Sequence, residues 1–436
     1  METNKQLLEF IKNSPSMFHA IDNLKGLLLE SGYEELIEAS RWELKEGGKY
    51  FVIRNGSSII AFNIAEKLTD YHFQISASHS DSPTFKLKEI PDFADDHYTK
   101  LNVEGYGGML CSTFFDRPLS IAGRVLVREN NHFTSKLVNI DRDLLVIPNL
   151  AIHMNREANK GVAYNNQVDM LPLFAGSKQE GAILDLVAKE AGCSKDMILA
   201  HDLYLYNRSA ASNFGYEGEF IASPKLDNLE CAFATTKAFT KAISNDSINI
   251  VACFDNEEVG SGTKQGAGST FLLDVLKRIN TGLNKTDDEY YEAVAKSFMV
   301  SADNAHAVHP NHPELADKRN NCYMNGGVVI KYSANQKYTT DAISSAIIEG
   351  ICDDADVPHQ YFANRSDMAG GSTLGNISSA QVSLHTVDIG LAQLAMHSSY
   401  EIGGAKDCDY MIKAMTKFYS SNIVIKNNND FEVNYK

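Results

Sequence analysis

Helices alternate with strands at both ends of this chain, while its middle reads as short strands alone. That pattern predicts the α/β class: a domain with a central mixed sheet flanked by helices, interrupted by a β-rich insertion (dimerisation) domain. Three observations carry the prediction. Apolar runs such as Ile248-Asn249-Ile250-Val251-Ala252-Cys253 have the length and bulk of buried strands. After Pro224, segments of helical periodicity separate such runs. Between about Phe85 and Phe220, turn residues cut the chain into short alternating strands. The 436 residues suffice for more than one domain. The expected division is 1–90 and 222–436 for the α/β domain and 91–221 for the insertion, whose apolar faces suit pairing between copies.

Taken in order, the stretch to about Ile37 is expected to be helical. Leu7, Leu8, Ile11, Leu24, Leu27 and Leu28 recur at helical spacing there, with a break at Ser14-Pro15. Tyr50–Arg54 and Ser58–Phe62 flank Asn55-Gly56, the commonest two-residue hairpin signal. Phe73–Ala77 is a short strand that delivers His79, Ser80 and Asp81 to its end. In the insertion, Leu101–Val103, Leu119–Val127 and Asp143–Ile147 read as strands and Ala182–Ala191 as a helix. Beyond Pro224 come helix Leu229–Ile243, strands Ile248–Phe254, Ser297–Ala302 and Gly327–Tyr332, helix Thr340–Cys352, strand Gln381–Val387 and helix Tyr410–Tyr419. In α/β sheets ligands gather beyond the carboxyl ends of the strands.

Composition narrows the function. Hydrophobic content of 44% and charged content of 22% fit an ordinary globular protein. A net charge of −16 without any basic block speaks against a nucleic-acid partner. The seven cysteines are scattered and form no Cys-x-x-Cys, so neither a disulfide framework nor a zinc ribbon is supported. The N-terminus opens into an amphipathic helix pattern rather than a signal peptide, and no apolar stretch approaches membrane-spanning length. The expectation is a cytoplasmic protein with no membrane partner.

Glu257 and Glu258 stand side by side just past the run that ends at Phe254. Adjacent carboxylates repel each other unless a cation sits between them. A metal site resolves the repulsion: one acid ligates and the other stays free as a base. An acidic surface loop would look the same in isolation. The difference lies in the company, because His79, Asp227, Asp303 and His397 also stand at strand or helix edges. Singly, Asp227 reads as a helix cap, Asp303 as turn chemistry and each histidine as a partly buried imidazole. Together with Glu258 they make a nitrogen and oxygen donor set without sulfur, suited to zinc, manganese or cobalt. Residues two apart on a strand point the same way, so Asp81 can approach the far ring nitrogen of His79 and fix its tautomer. His153 reads by itself as a partly buried strand histidine, and Lys331 as a surface charge at a strand end. His306, His309 and His312 read as packing residues of a turn stiffened by Pro310 and Pro313. The chain contains no Gly-x-Ser-x-Gly and no Gly-Lys-Ser, so serine-hydrolase and Walker-loop chemistry find no support.

The segments Ala77–Pro83, Pro224–Leu229, Asp255–Ser261, Asp303–Asn311 and Ala395–Ser398 resemble, in the same order, the motifs of the M18 aminopeptidase family. The resemblance runs from Ser14–Ala20 to the last helix. It implies an aminopeptidase acting on peptides with a free N-terminus, with two divalent metal ions: zinc foremost, manganese or cobalt as alternatives. Asp227 would bridge the ions, His79 and Asp303 completing one shell and Glu258 and His397 the other. Glu257 would be the general base and Asp81 the partner of His79. The resemblance also implies that His153 is donated by a neighbouring subunit to stabilise the oxyanion. It sets Lys331 against an acidic (Asp or Glu) first residue of the substrate, places the loop Asn364–Ser372 beside the substrate, and implies a homo-oligomer that is a tetrahedral dodecamer. Two other readings fit the residues. N-acyl amino acid deacylases and carboxypeptidases can share the five-ligand geometry. A non-catalytic self-assembling scaffold could keep the metal residues, although a structural site needs no unligated base beside Glu258.

Overall fold

The computed structural model describes residues 2–243 and 246–435. Its largest sheet has nine strands, in the order Glu34–Glu35, Lys49–Arg54, Ser58–Ile64, Ile248–Phe254, Phe73–His79, Phe298–Ala302, His385–Gly390, Val328–Tyr332 and His359–Ala363. The four from Ile248–Phe254 to His385–Gly390 are parallel. Their neighbours on either side, Ser58–Ile64 and Val328–Tyr332, run antiparallel to them, so the sheet is mixed. Every residue of Ile248–Phe254 and Phe73–His79 is buried. That is why these segments read as continuous apolar runs rather than alternating ones. Side chains of one strand divide between two cores. Val251 and Cys253 pack with the helices Leu226–Lys241, Ala342–Asp354 and Asp407–Ser420, while Ile248, Ile250, Ala252 and Phe254 pack with the helix Phe271–Gly282. Helices therefore cover both faces, as the α/β class requires.

A second sheet of six antiparallel strands contains His132–Asn139, Leu119–Glu129, Ile198–Asn207, Thr84–Ala94, Thr99–Tyr106 and Leu173–Ala175. It has an apolar cluster of its own, with Phe85, Leu101, Val125 and Leu203, closed by Ile183 and Val187 of the helix Ala182–Ala191. A third, five-stranded sheet is small and joins Ser212–Phe214, Phe220–Ser223, Glu401–Gly404, Ala392–Leu394 and Ala305–His306.

Several elements differ from expectation. The N-terminal helices are Glu2–Lys12 and Met17–Glu30, and the second stops well before Ile37. Gly32 turns the chain with φ +81°, and Glu34–Glu35 then pairs with Tyr50 and Phe51. Asp143–Ile147 is not a strand: Leu145, Val146 and Ile147 bridge to three different residues (Leu119, Leu173 and Phe115), so no ladder can form. The last parallel strand is His385–Gly390, shifted toward the C-terminus from Gln381–Val387, because Gln381 and Val382 close the turn after the helix Leu374–Ser379. Three helices were not anticipated, the short Leu374–Ser379 among them. Phe271–Gly282 buries Phe271, Leu272, Val275, Leu276 and Ile279, and Asp287–Ala295 starts from a capping box between Thr286 and Glu289. All seven cysteines are unpaired. Among the described residues no helix is long and apolar enough to cross a membrane.

Candidate metal centre

The carboxyl ends of the parallel strands deliver most of the site. Phe73–His79 ends on His79 itself, Phe298–Ala302 leads into Asp303, and Ile248–Phe254 runs into the short turn Glu257–Val259. Asp227 enters from the start of the helix Leu226–Lys241, and His397 from the loop after Ala392–Leu394. The five expected ligands converge. Asp227 Oδ1 lies 3.6 Å from His79 Nε2, which is also 3.6 Å from Asp303 Oδ1. The other oxygen, Asp227 Oδ2, lies 3.4 Å from His397 Nε2, which is 3.4 Å from Glu258 Oε2. Ligand atoms of His79, Asp227 and Glu258 all fall within 4.8 Å of one another. One aspartate thus faces two separate histidine–carboxylate pairs.

Surrounding groups hold these side chains from behind. His79 Nδ1 is 3.1 Å from the Asp81 carbonyl and 3.4 Å from its carboxylate, so Asp81 sets the ring with both groups. The Asp81 carboxylate also accepts the Glu257 and Glu258 N–H groups at 3.2 Å and the Tyr106 hydroxyl at 2.7 Å. Tyr106 belongs to the six-stranded sheet, and its oxygen in turn accepts from Asn256 Nδ2 at 2.8 Å. His397 Nδ1 lies 2.8 Å from the Gly108 carbonyl. Glu401 accepts from both the Asp227 and the His397 backbone. Sequence reading missed Tyr106, Asn256 and Glu401. Nothing local marks the first two, and the only sequence signal for Glu401 is its place four residues after His397.

The donor set fits divalent cations. Asp227 Oδ1 and Glu258 Oε1 are buried and accept no hydrogen bond, which is costly for a carboxylate unless a cation takes the lone pairs. A profile of the family described as Aminopeptidase I zinc metalloprotease (M18) matches residues 10–419. The chain belongs to the M18 family. This M18 metalloaminopeptidase is 46% identical over 428 residues to a probable M18 family aminopeptidase 2 of Clostridium acetobutylicum, covering 96% of this chain and 99% of that one. It is 40% identical over 427 residues to a probable M18 family aminopeptidase 2 of Pseudomonas aeruginosa, covering 96% and 98%. Among solved structures it matches Ape4, in a complex with Nbr1, with TM-score 0.93 and 37% identity over 96% of this chain and 85% of that one. It also matches the S. cerevisiae mApe1 dodecamer with TM-score 0.83 and 27% identity over 95% of each.

Electrostatics in the M18 centre follow from crowded acids. Burial pushes the Glu257 carboxyl up to about 8; His79 opposes this, and Asp303, Asp81 and Asp227 add to it. Burial and then Asp227 push Glu258 well above the usual carboxylate range. For His397, burial pulls down but Asp227 and Glu258 outweigh it, and the ring is raised to about 10. Burial would raise Asp303, yet Lys331 and His79 hold it at about 2. Lys331 is not the solvated charge its sequence context suggests. It is 2% exposed and donates to the Asp303 carbonyl at 2.7 Å and the Asn304 carbonyl at 3.2 Å. His153 is exposed on the turn 152–154 rather than buried in a strand, between exposed Ile152 and Met154. Among the described residues no hydrogen bond or ion pair joins it to the ligand cluster. His306, His309 and His312 line a cavity of about 330 Å³ with Arg365, Met368 and Gly370 of the glycine-rich loop. Ala395, two residues before His397, lines it too, so this cavity borders the ligand loop.

Glu230 supplies a test of the acid crowding away from the ligands. It is buried in the helix Leu226–Lys241, and its Oε1 has no hydrogen-bond partner. Burial pushes its carboxyl from 4.5 up to about 8, with Asp407 and Glu401 adding and Asn304 opposing. The folded chain then holds this proton more tightly than the unfolded one. The group's contribution to stability is intact below pH 4.5 and is lost as pH rises through 8. Metal-free Glu230→Gln should melt about 2–5 °C above the parent near pH 9 and level with it near pH 5. Equal melting-point differences at both pH values would contradict the assignment.

Proposed function

We propose that this M18 enzyme is a di-zinc aminopeptidase that removes acidic residues from peptide N-termini. The observation that carries the reading is the position of Asp227, with one carboxylate oxygen toward His79 and the other toward His397. On this reading His79, Asp227 and Asp303 hold one ion, and Asp227, Glu258 and His397 the other. The donor set equally admits manganese or cobalt. Bound ions of this kind supply Lewis acidity to the scissile carbonyl and lower the pKa of water.

The chain's own residues do the rest. Glu257 sits beside Glu258 without a place among the five ligands. Its crowded carboxylate accepts a proton from the attacking water and returns it to the leaving amine. Asp81 anchors the Glu257 and Glu258 backbone and sets the His79 ring, so the base and one ligand share a single support. A free α-amine would offer one of the ions a lone pair, which an N-acylated nitrogen lacks; comparing free and N-acetylated peptides separates this reading from a deacylase. Lys331 gives the acidic preference. Two of its three N–H donors are spent on the Asp303 and Asn304 carbonyls, leaving one for a substrate carboxylate.

Residues 91–221 form the oligomerisation unit on this reading, with 1–90 and 222–436 as the catalytic unit. His153 crosses to the centre of a neighbouring subunit and stabilises the oxyanion. Its support is the exposed apolar group Leu150, Ile152 and Met154, which calls for a covering surface. The dodecameric state of mApe1 is the assembly we propose here, in a cytoplasmic setting.

Three outcomes follow from these roles. Glu257→Gln should lose about 10²–10⁴-fold in kcat with its metal content intact; near-parental activity would remove Glu257 as the base. Compared at matched metal loading, Lys331→Met should narrow the preference for Asp- over Leu-starting peptides by at least about tenfold, and an unchanged ratio would end the acidic-pocket assignment. His153→Ala should lose about 10²–10³-fold. Co-expressed with Glu257→Gln, it should form hybrid oligomers more active than either variant, since some centres then receive both groups. Hybrids no more active than their parents would place His153 outside the neighbouring centre.

A further inference from the structure

Glu401 is 1% exposed and begins the strand Glu401–Gly404 of the small third sheet. Its two carboxylate oxygens are fully engaged, and both partners are main-chain groups of metal-site residues. Oε2 accepts the Asp227 N–H at 2.9 Å, and Oε1 accepts the His397 N–H at 2.7 Å. The strand brings the acid to this position: Glu401 pairs with Ser223, just upstream of Asp227, and Ile402 pairs with Leu394, just upstream of His397.

The backbone it grips is not relaxed. Lys225 has φ +58°, Ala395 +55° and His397 +65°, all in the left-handed region that side chains other than glycine seldom adopt. Conformations of this kind persist where surrounding contacts over-determine them. An ordinary polar residue could satisfy one N–H here. A carboxylate that spans two, beside an already acidic cluster, is an expensive choice unless cations complete the charge balance.

We infer that Glu401 is a positioning residue, its carboxylate clamping the Asp227 and His397 main chains so that both side chains point at one metal ion. The inference rests on the two-ion reading for its details: the ion held by Asp227, Glu258 and His397 has two clamped ligands, while the ion held by His79, Asp227 and Asp303 has one. His79 ends the strand Phe73–His79 and Asp303 follows the strand Phe298–Ala302, and neither strand belongs to the sheet that carries Glu401.

The test uses the full-length oligomer, stripped of metal and titrated with Zn²⁺ and Co²⁺. Affinity and stoichiometry are read by calorimetry and by Co²⁺ absorption, and the melting point of the metal-free form is measured alongside. Glu401→Gln keeps the shape but offers an amide N–H where an acceptor is needed. Glu401→Asp keeps the charge but is too short to reach both N–H groups. Both should weaken the ion that Asp227 shares with His397 roughly 10–100-fold, and weaken the ion whose only clamped ligand is Asp227 by less, with kcat reduced more than KM is raised. Glu230→Gln replaces a nearby buried carboxyl that makes neither of these N–H contacts, and should keep parental affinity for both ions. If either Glu401 variant fails to fold, the other decides by the same criterion. Parental metal affinity in the folded Glu401 variants overturns the clamp, as does equal weakening in Glu230→Gln. A parent that binds a single ion sinks the two-ion reading instead. The clamp then stands if that ion weakens in the Glu401 variants alone, and falls if it does not.

Discussion

Mutual repulsion among buried carboxylates is the constraint around which this molecule is organised. Asp81, Asp227, Glu257, Glu258 and Asp303 crowd one rim of the main sheet, and the positive groups among them are His79, His397 and Lys331. Burial alone would drive such acids to pick up protons. Glu257 and Glu258 are pushed that way, while Asp303 is kept ionised by Lys331 and His79. Divalent cations are the economical answer, because they take up lone pairs that no protein donor reaches, those of Asp227 Oδ1 and Glu258 Oε1. The zinc dependence of the family has its physical root here.

Holding such acids in register demands stiff supports. Parallel strands buried on both faces supply them, since a strand packed between two cores cannot slide without moving its whole apolar set. The smaller parts of the fold add cross-ties. Tyr106 reaches from the six-stranded sheet to Asp81, and Asp81 grips the turn that carries Glu257 and Glu258. The third sheet sets Glu401 between the Asp227 and His397 segments. A mechanical path therefore joins the proposed oligomerisation unit to the proposed base, through one phenol and one carboxylate.

At 46% identity the similarity extends across almost the whole of a clostridial relative, so it covers both the main sheet and the six-stranded sheet. The turn around His153 exposes Leu150, Ile152 and Met154, an apolar group that suits burial in the assembly proposed above.

By itself the sequence determined the α/β class, the buried central strands, and the grouping of His79, Asp227, Glu258, Asp303 and His397 beside a spare acid at Glu257. These were legible because burial on both faces leaves unbroken apolar runs, and because chemistry at strand ends leaves polar residues where the runs stop. The helix Phe271–Gly282 leaves the same kind of trace, an apolar pattern of helical period at 271, 275, 276 and 279. Only the tertiary structure decided how Asp227 splits its two oxygens between His79 and His397, that Lys331 lies buried behind Asp303, and that Tyr106 and Glu401 support the ligands. Those contacts join residues far apart in the chain: Tyr106 to Asp81 across 25 positions, and Glu401 to Asp227 across 174. No local pattern encodes a hydrogen bond of that kind, because its partners become neighbours only once separate sheets have packed together.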